Sequence, residues 1–240
     1  MTDLRALWPR RAVGLPPGQR RLAVFPRFSD DPGRPPPVVP EGPEIQIVLG
    51  EEVIAVLGAD TIREHRFEQR ADFHCVTTWS VTGLRWEGAQ FLAVWQQLVA
   101  PDPRTSDVGF LKVRRLHHYA AVLTVEDALA GDVMIADRLD GQPLDARHGA
   151  PWRLISPGQY GYKSVKHLSQ IELHVDRPRS QLGTKEHLRA RVASEERHSL
   201  RSGRVLRWPY RLVVPLTAAL AERPLRRSAR KTPQQGQGVP

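Results

Sequence analysis

Residues 147–168 read Arg147-His148-Gly149-Ala150-Pro151-Trp152-Arg153-Leu154-Ile155-Ser156-Pro157-Gly158-Gln159-Tyr160-Gly161-Tyr162-Lys163-Ser164-Val165-Lys166-His167-Leu168, a run that sets several cationic side chains among glycines. Glycine permits close backbone approach, so the run suits an anionic ligand carrying a phosphate. It lacks the glycine spacing of a P-loop or of a dinucleotide fingerprint, and nucleotide binding is not indicated. An ordinary basic loop between strands is the competing reading, and the residue chemistry of this segment alone does not separate the two.

Some seventy residues upstream lies Asp72-Phe73-His74-Cys75-Val76-Thr77-Thr78-Trp79-Ser80, after a strand-like run and before Leu84-Arg85-Trp86-Glu87-Gly88. Cys75 is the one cysteine of the chain. A lone cysteine is most often a small buried hydrophobe. Here His74 can favour the thiolate, the form that ligates metals, and the polar neighbours are costly to bury without a purpose.

Together the two segments closely resemble the molybdopterin-binding domain of the sulfite oxidase family, most nearly its short bacterial members, over residues 20–176. In that family a cysteine placed like Cys75 supplies the thiolate ligand of molybdenum. A pattern matching His148, Gly149, Pro151 and Arg153, followed by a small residue and a lysine at Ser164 and Lys166, surrounds the pterin phosphate. The resemblance thus implies molybdenum-molybdopterin as cofactor, Cys75 as metal ligand and catalytic residue, and His74, His148, Arg153, Ser164, Val165 and Lys166 as cofactor contacts. Phe25-Pro26-Arg27-Phe28 resembles the family's entry segment, which adds Arg27 as a pterin contact, and Lys112 falls near a further contacting position. Soft sulfur suits molybdenum; Arg153 offers a fork and Lys166 a point charge to phosphate. The implied activity is a two-electron oxygen-atom transfer between a small-molecule oxo donor or acceptor and the metal, served by an unidentified electron-transfer partner.

Two departures bear on substrate. Sulfite oxidases carry a tyrosine where this chain has Asp137, and a carboxylate there would repel sulfite. The residues after Val175 are too few for those enzymes' immunoglobulin-like domain, and no haem domain is seen. Sulfite oxidation is therefore not the expected activity. The family's other well-known branch, an exported bacterial subunit that reduces methionine sulfoxide in proteins, is not expected either, since no export signal is read, and the substrate stays unassigned. His117, His118 and Tyr119 are candidates for lining the substrate pocket.

Around these motifs the chain suggests an α+β core with mixed sheets. Ile45-Gln46-Ile47-Val48-Leu49 and Val53-Ile54-Ala55-Val56-Leu57 read as a hairpin, and Phe91 to Leu98 carries helical spacing stopped by Pro101. Thr124 with Asp127 resembles a capping box, Asp140-Gly141 marks a turn, and strands are expected near 120–123, 133–135, 152–155 and 170–175. With 21 prolines and 18 glycines in 240 residues, long regular helices should be few.

Charge divides the chain into a Pro/Arg-rich N-terminal arm over 1–43, a core over 44–176 and a basic C-terminal extension over 177–240. The core carries 13 basic against 18 acidic groups and the extension 15 against 4. An acidic core is poorly suited to gripping a polyanion along its length, so nucleic acid is not the expected partner. The extension is expected to be solvated and partly disordered, and it offers a possible membrane or protein contact. Trp208 and Tyr210 interleaved with Arg204, Arg207 and Arg211 support the alternative of a non-catalytic module that binds anionic lipid or nucleic acid. One cysteine forms no internal disulfide and no signal peptide is read, so a cytoplasmic location is expected.

Overall fold

The computed structural model describes residues 14–26, 37–39, 41–116, 119–200, 203–212 and 214. Arg27, His117 and His118 lie outside the described residues. The elements run β1 (Arg20–Arg21), β2 (Ile45–Leu49), β3 (Glu52–Leu57), α1 (Ala59–Glu64), β4 (Arg66–His74), β5 (Trp79–Gln90), α2 (Phe91–Leu98), β6 (Phe110–Arg115), β7 (Ala120–Thr124), α3 (Val125–Ala128), β8 (Met134–Leu139), β9 (Gln142–Pro143), β10 (Arg153–Ile155) and β11 (Leu168–His174). Two mixed sheets with short helices make this an α+β protein, as expected.

One sheet has the order β3-β2-β11-β6-β7. The expected hairpin is its β2–β3 pair, and β11 closes it by running parallel to β2. The other sheet is built on the long β4–β5 hairpin, with β5 also pairing β8, and β8 pairing β10. Asp140 and Gly141 both take positive φ, 51° and 81°, in the two-residue turn between β8 and β9. That is the backbone a tight hairpin needs, and it suits Asp-Gly.

β8 and β10 form the wall between two cores. Successive strand residues point to opposite faces. Ile135 and Leu154 enter the larger core with Ile47, Phe91, Val94 and Leu111. Met134, Ala136 and Ile155 face the other core, which contains Leu22, Phe73, Cys75, Trp79 and Trp86. Arg153 lies two residues from Ile155, on the face of this second core. A guanidinium among aromatic rings is therefore a consequence of strand register.

α2 buries Phe91, Val94 and Trp95, three of the four positions at helical spacing, and leaves the fourth, Leu98, partly buried. At α3 the Thr124 hydroxyl accepts from the Asp127 backbone N–H at 3.1 Å, the N-cap bond expected there.

The described part of the C-terminal segment is not a solvated tail. Glu186, Ala190, Val192 and Arg197 are buried. Arg191 pairs with Asp127 and Arg189 with Glu126, while Glu186 forms a buried ion pair with Lys163. Arginines that composition marks as solvent-facing find carboxylates and carbonyls on the core. The N-terminal segment is also stitched in: β1 pairs in parallel with β5 at Trp79 and Ser80, and Leu22 is buried.

Candidate active site at the Cys75 turn

Cys75 begins the turn that reverses β4 into β5. Its N–H donates to the Trp79 carbonyl at 2.8 Å, its carbonyl accepts from Thr78, and Thr78 takes a positive φ of 76°. The turn is pinned from three sides. Gln19 donates its side-chain amide to the Cys75 carbonyl at 3.1 Å and accepts from Ser80 at 3.1 Å. The Ser80 hydroxyl lies 2.8 Å from His74 Nδ1. Arg197, itself wholly buried, donates to the carbonyls of Val76 and Pro17 and stacks at 4.8 Å on the ring of Tyr160.

The Cys75 sulfur is 3.1 Å from the Thr77 hydroxyl. Burial is the largest effect and leaves the thiol's pKa raised, with the Thr77 bonds and the charges of Arg197 and Lys166 offsetting it only in part. Burial lowers the pKa of His74, which favours the neutral ring. The cations that favour a thiolate here are Arg197 and Lys166.

The 147–168 loop meets this turn directly. Gly161 donates its N–H to the His74 carbonyl at 2.7 Å, and a Cβ on Gly161 would run into the Phe73 ring. Within the loop Arg153 is the organiser. It is fully buried and donates to the carbonyls of His148 at 2.8 Å and Ser164 at 3.2 Å. Its guanidinium lies over Phe25, Phe73 and Trp86, at 5.8, 5.3 and 5.3 Å from the ring centres. Ser164 accepts from the Ser156 N–H at 3.1 Å, and Val165 is buried with its carbonyl bonded to Leu154 N–H at 2.8 Å. Lys166 donates to the Arg147 carbonyl at 2.7 Å. His148 is held by Asp145 at 2.8 Å and reaches the Phe25 carbonyl at 3.3 Å, so the entry segment touches the loop.

Three other candidates fall differently. Lys112 pairs with Glu172 at 3.7 Å across β6 and β11. Asp137 is ion-paired with Arg66 at 2.6 Å, so its charge is compensated and the electrostatic case against sulfite loses force. Tyr119 donates to the Tyr162 carbonyl at 2.5 Å and thereby touches the loop. Residue patterns did not bring out Gln19, Thr77 or Arg197. The first sits among prolines and the last in an arginine-rich stretch without periodicity, so neither leaves a local signal.

Residues 48–182 match the family described as oxidoreductase molybdopterin binding domain. The chain belongs to that family. The chain is similar to the uncharacterized oxidoreductase YuiH of Bacillus subtilis, 29% identical over 107 residues, 45% of this chain and 52% of that protein. It is also similar to the protein-methionine-sulfoxide reductase catalytic subunit MsrP of Campylobacter jejuni, 27% identical over 142 residues, 52% of this chain and 46% of that protein. The chain thus spans about half the length of these curated relatives. Among solved structures, the sulfane dehydrogenase SoxCD from Paracoccus pantotrophus aligns with a TM-score of 0.49 at 18% identity, over 58% of this chain and 40% of that one.

For a molybdopterin-binding oxidoreductase domain, the residues present fit the cofactor. Among the described residues Arg153 has no carboxylate as a hydrogen-bond partner and its buried Nε has no partner, and burial pulls its pKa down to about 9. A buried cation in that state is suited to a nearby anion such as a phosphate. Gly149 has φ +111°, and a Cβ there would come within 2.8 Å of the Lys166 Cβ, so the bare backbone lets the two loop arms close together. The Cys75 sulfur supplies a soft donor.

Proposed function

We propose that the Cys75 thiolate is the protein ligand of molybdenum and that this domain carries out two-electron oxygen-atom transfer. The reductive removal of oxygen from a sulfoxide is the reaction we assign. The observation that carries the reading is the meeting of the Cys75 turn and the cationic 147–168 loop at the Gly161–His74 hydrogen bond. When bound, the cofactor supplies the two-electron redox step and the site of oxygen transfer.

The chain's own residues do the rest. Arg153 and Lys166 provide positive charge for the pterin phosphate, one as a planar fork and the other as a flexible point charge. Arg197 and Thr77 hold the Cys75 sulfur and its turn, and Gln19 and Ser80 fix the carbonyl side of that turn. Phe25, Phe73, Trp79 and Trp86 surround the site with aromatic surface that excludes water. Sulfoxide as substrate is supported by relatives named protein-methionine-sulfoxide reductase catalytic subunit; the reaction consumes two electrons and two protons and yields the sulfide and water. The electrons come from a separate redox partner.

Expression in a host that makes the cofactor, followed by elemental analysis, tests the reading. One molybdenum per chain is expected, and Cys75→Ser should reduce sulfoxide turnover to background while the thermal midpoint stays within a few degrees. Wild-type protein without molybdenum, or a Cys75→Ser enzyme of undiminished turnover, overturns it.

A further inference from the structure

The helical segment over 203–212 is turned inside out. Its outward face carries Val205, Trp208 and Leu212, which are 65, 70 and 63% exposed. These positions share one side of a helix with 3.6 residues per turn. Up to its last turn the inward face is polar: Arg207 forms an ion pair with Glu195 at 2.6 Å and Tyr210 hydrogen-bonds His198. Gly203 sits against Glu195 and Arg197, and Val214, one turn beyond Tyr210, is buried in the core that holds Leu22 and Trp79. A surface helix normally buries its apolar side. Here polar bonds to the preceding segment fix the orientation that presents a tryptophan and two aliphatic side chains to solvent, beside Leu200 at 73% exposure.

We propose that this outward face docks the domain on an anionic phospholipid surface. Arg204 is exposed one turn before Trp208, and the sequence beyond 214 adds Arg223, Arg226, Arg227, Arg230 and Lys231 against Glu222 alone. Aliphatic side chains between arginines match the layering of a bilayer interface, with acyl chains below and phosphates above, and tryptophan favours that boundary. A nucleic acid would take the arginines and stack on Trp208, yet it would leave Val205 and Leu212 against phosphate. A second copy packed through the same face would bring Arg204 towards its own symmetry mate. Among the described residues no helix is long and apolar enough to cross a membrane, so the segment would lie in the interface plane.

The test uses the full chain loaded with cofactor and sedimented with vesicles, either of phosphatidylcholine alone or of equal parts phosphatidylcholine and phosphatidylglycerol. Binding to the anionic vesicles is expected, falling with salt, with weak binding to the neutral ones. Arg204→Gln should lower the partition coefficient about fivefold. Trp208→Ser with Leu212→Ser should lower it tenfold or more, at unchanged molybdenum content and thermal midpoint. Equal binding to both vesicle types, or binding that survives the double substitution, overturns the proposal. So does a wild-type dimer that Trp208→Ser dissociates, or RNA binding with the same dependence on Trp208.

Discussion

Breaking the Lys163–Glu186 pair on one side should destabilise the protein more than removing both partners. Both side chains are 0% exposed. The Lys163 ammonium donates to Glu186 and to the Val122 carbonyl, while Glu186 also accepts from Val122 N–H at 3.0 Å and from the Ser180 hydroxyl. Glu186→Leu leaves an ammonium in an apolar setting with one carbonyl, and Lys163→Met leaves a carboxylate with two neutral donors. Loss of one partner of a buried pair costs about 3–5 kcal/mol, whereas an apolar replacement of both is often near neutral. For a domain of this size each kcal/mol moves the midpoint by about 2–4 °C, so each single variant should melt roughly 6–20 °C lower. Lys163→Met/Glu186→Leu should recover much of that loss. The assay is thermal and urea unfolding of the four proteins, all free of cofactor. A double variant whose loss equals the sum of the singles would refute the reasoning, because the two side chains would then act independently.

His167 is buried, its Nδ1 lies 2.6 Å from the Ala150 carbonyl, and burial pulls its pKa down to about 4 from 6.5. Between those values the unfolded chain binds the extra proton, so this stability is present above pH 6.5 and is lost as pH falls to 4. The loss is about 3 kcal/mol, and His167→Asn should flatten that limb of the midpoint-against-pH curve relative to wild type. Arg153→Met should cost cofactor retention more than stability: removal of a buried charge without a carboxylate offsets part of the lost bonds to the His148 and Ser164 carbonyls, so the cofactor-free midpoint should fall by a few degrees only, while pterin content of purified protein should fall about tenfold or more, measured by fluorescence of the oxidised pterin. An Arg153→Met protein with wild-type pterin content would show that this guanidinium does not serve the cofactor.

Elements whose signal is local were legible from residue type. Ile45 to Leu57 alternate and turn at Gly50, Phe91 to Leu98 repeat at helical spacing, and Thr124 caps α3 with its own side chain. α1 was not, because it buries only Ile62 and starts at Gly58 without a side-chain cap. β6 was hidden by Lys112, Arg114 and Arg115, which look like a basic loop until Glu172 on β11 is placed against the first two. The same limit applies at the site. His148, Arg153, Ser164, Val165 and Lys166 lie close in sequence, and the fold joins them in one loop. Arg197 is held at the site by carbonyls at Val76 and Pro17, at sequence separations of 121 and 180. No local pattern carries a contact of that length.

That contact sets an order on synthesis. A ribosome releases the chain from its N-terminus, and residues near Pro17 and Val76 emerge long before Arg197 exists to bond them. Until then the Cys75 turn lacks its buried cation and the 147–168 loop lacks the Glu186 clasp. Cofactor loading is therefore expected only once Arg197 has emerged, and a nascent chain stalled before residue 197 should leave the ribosome empty of molybdenum.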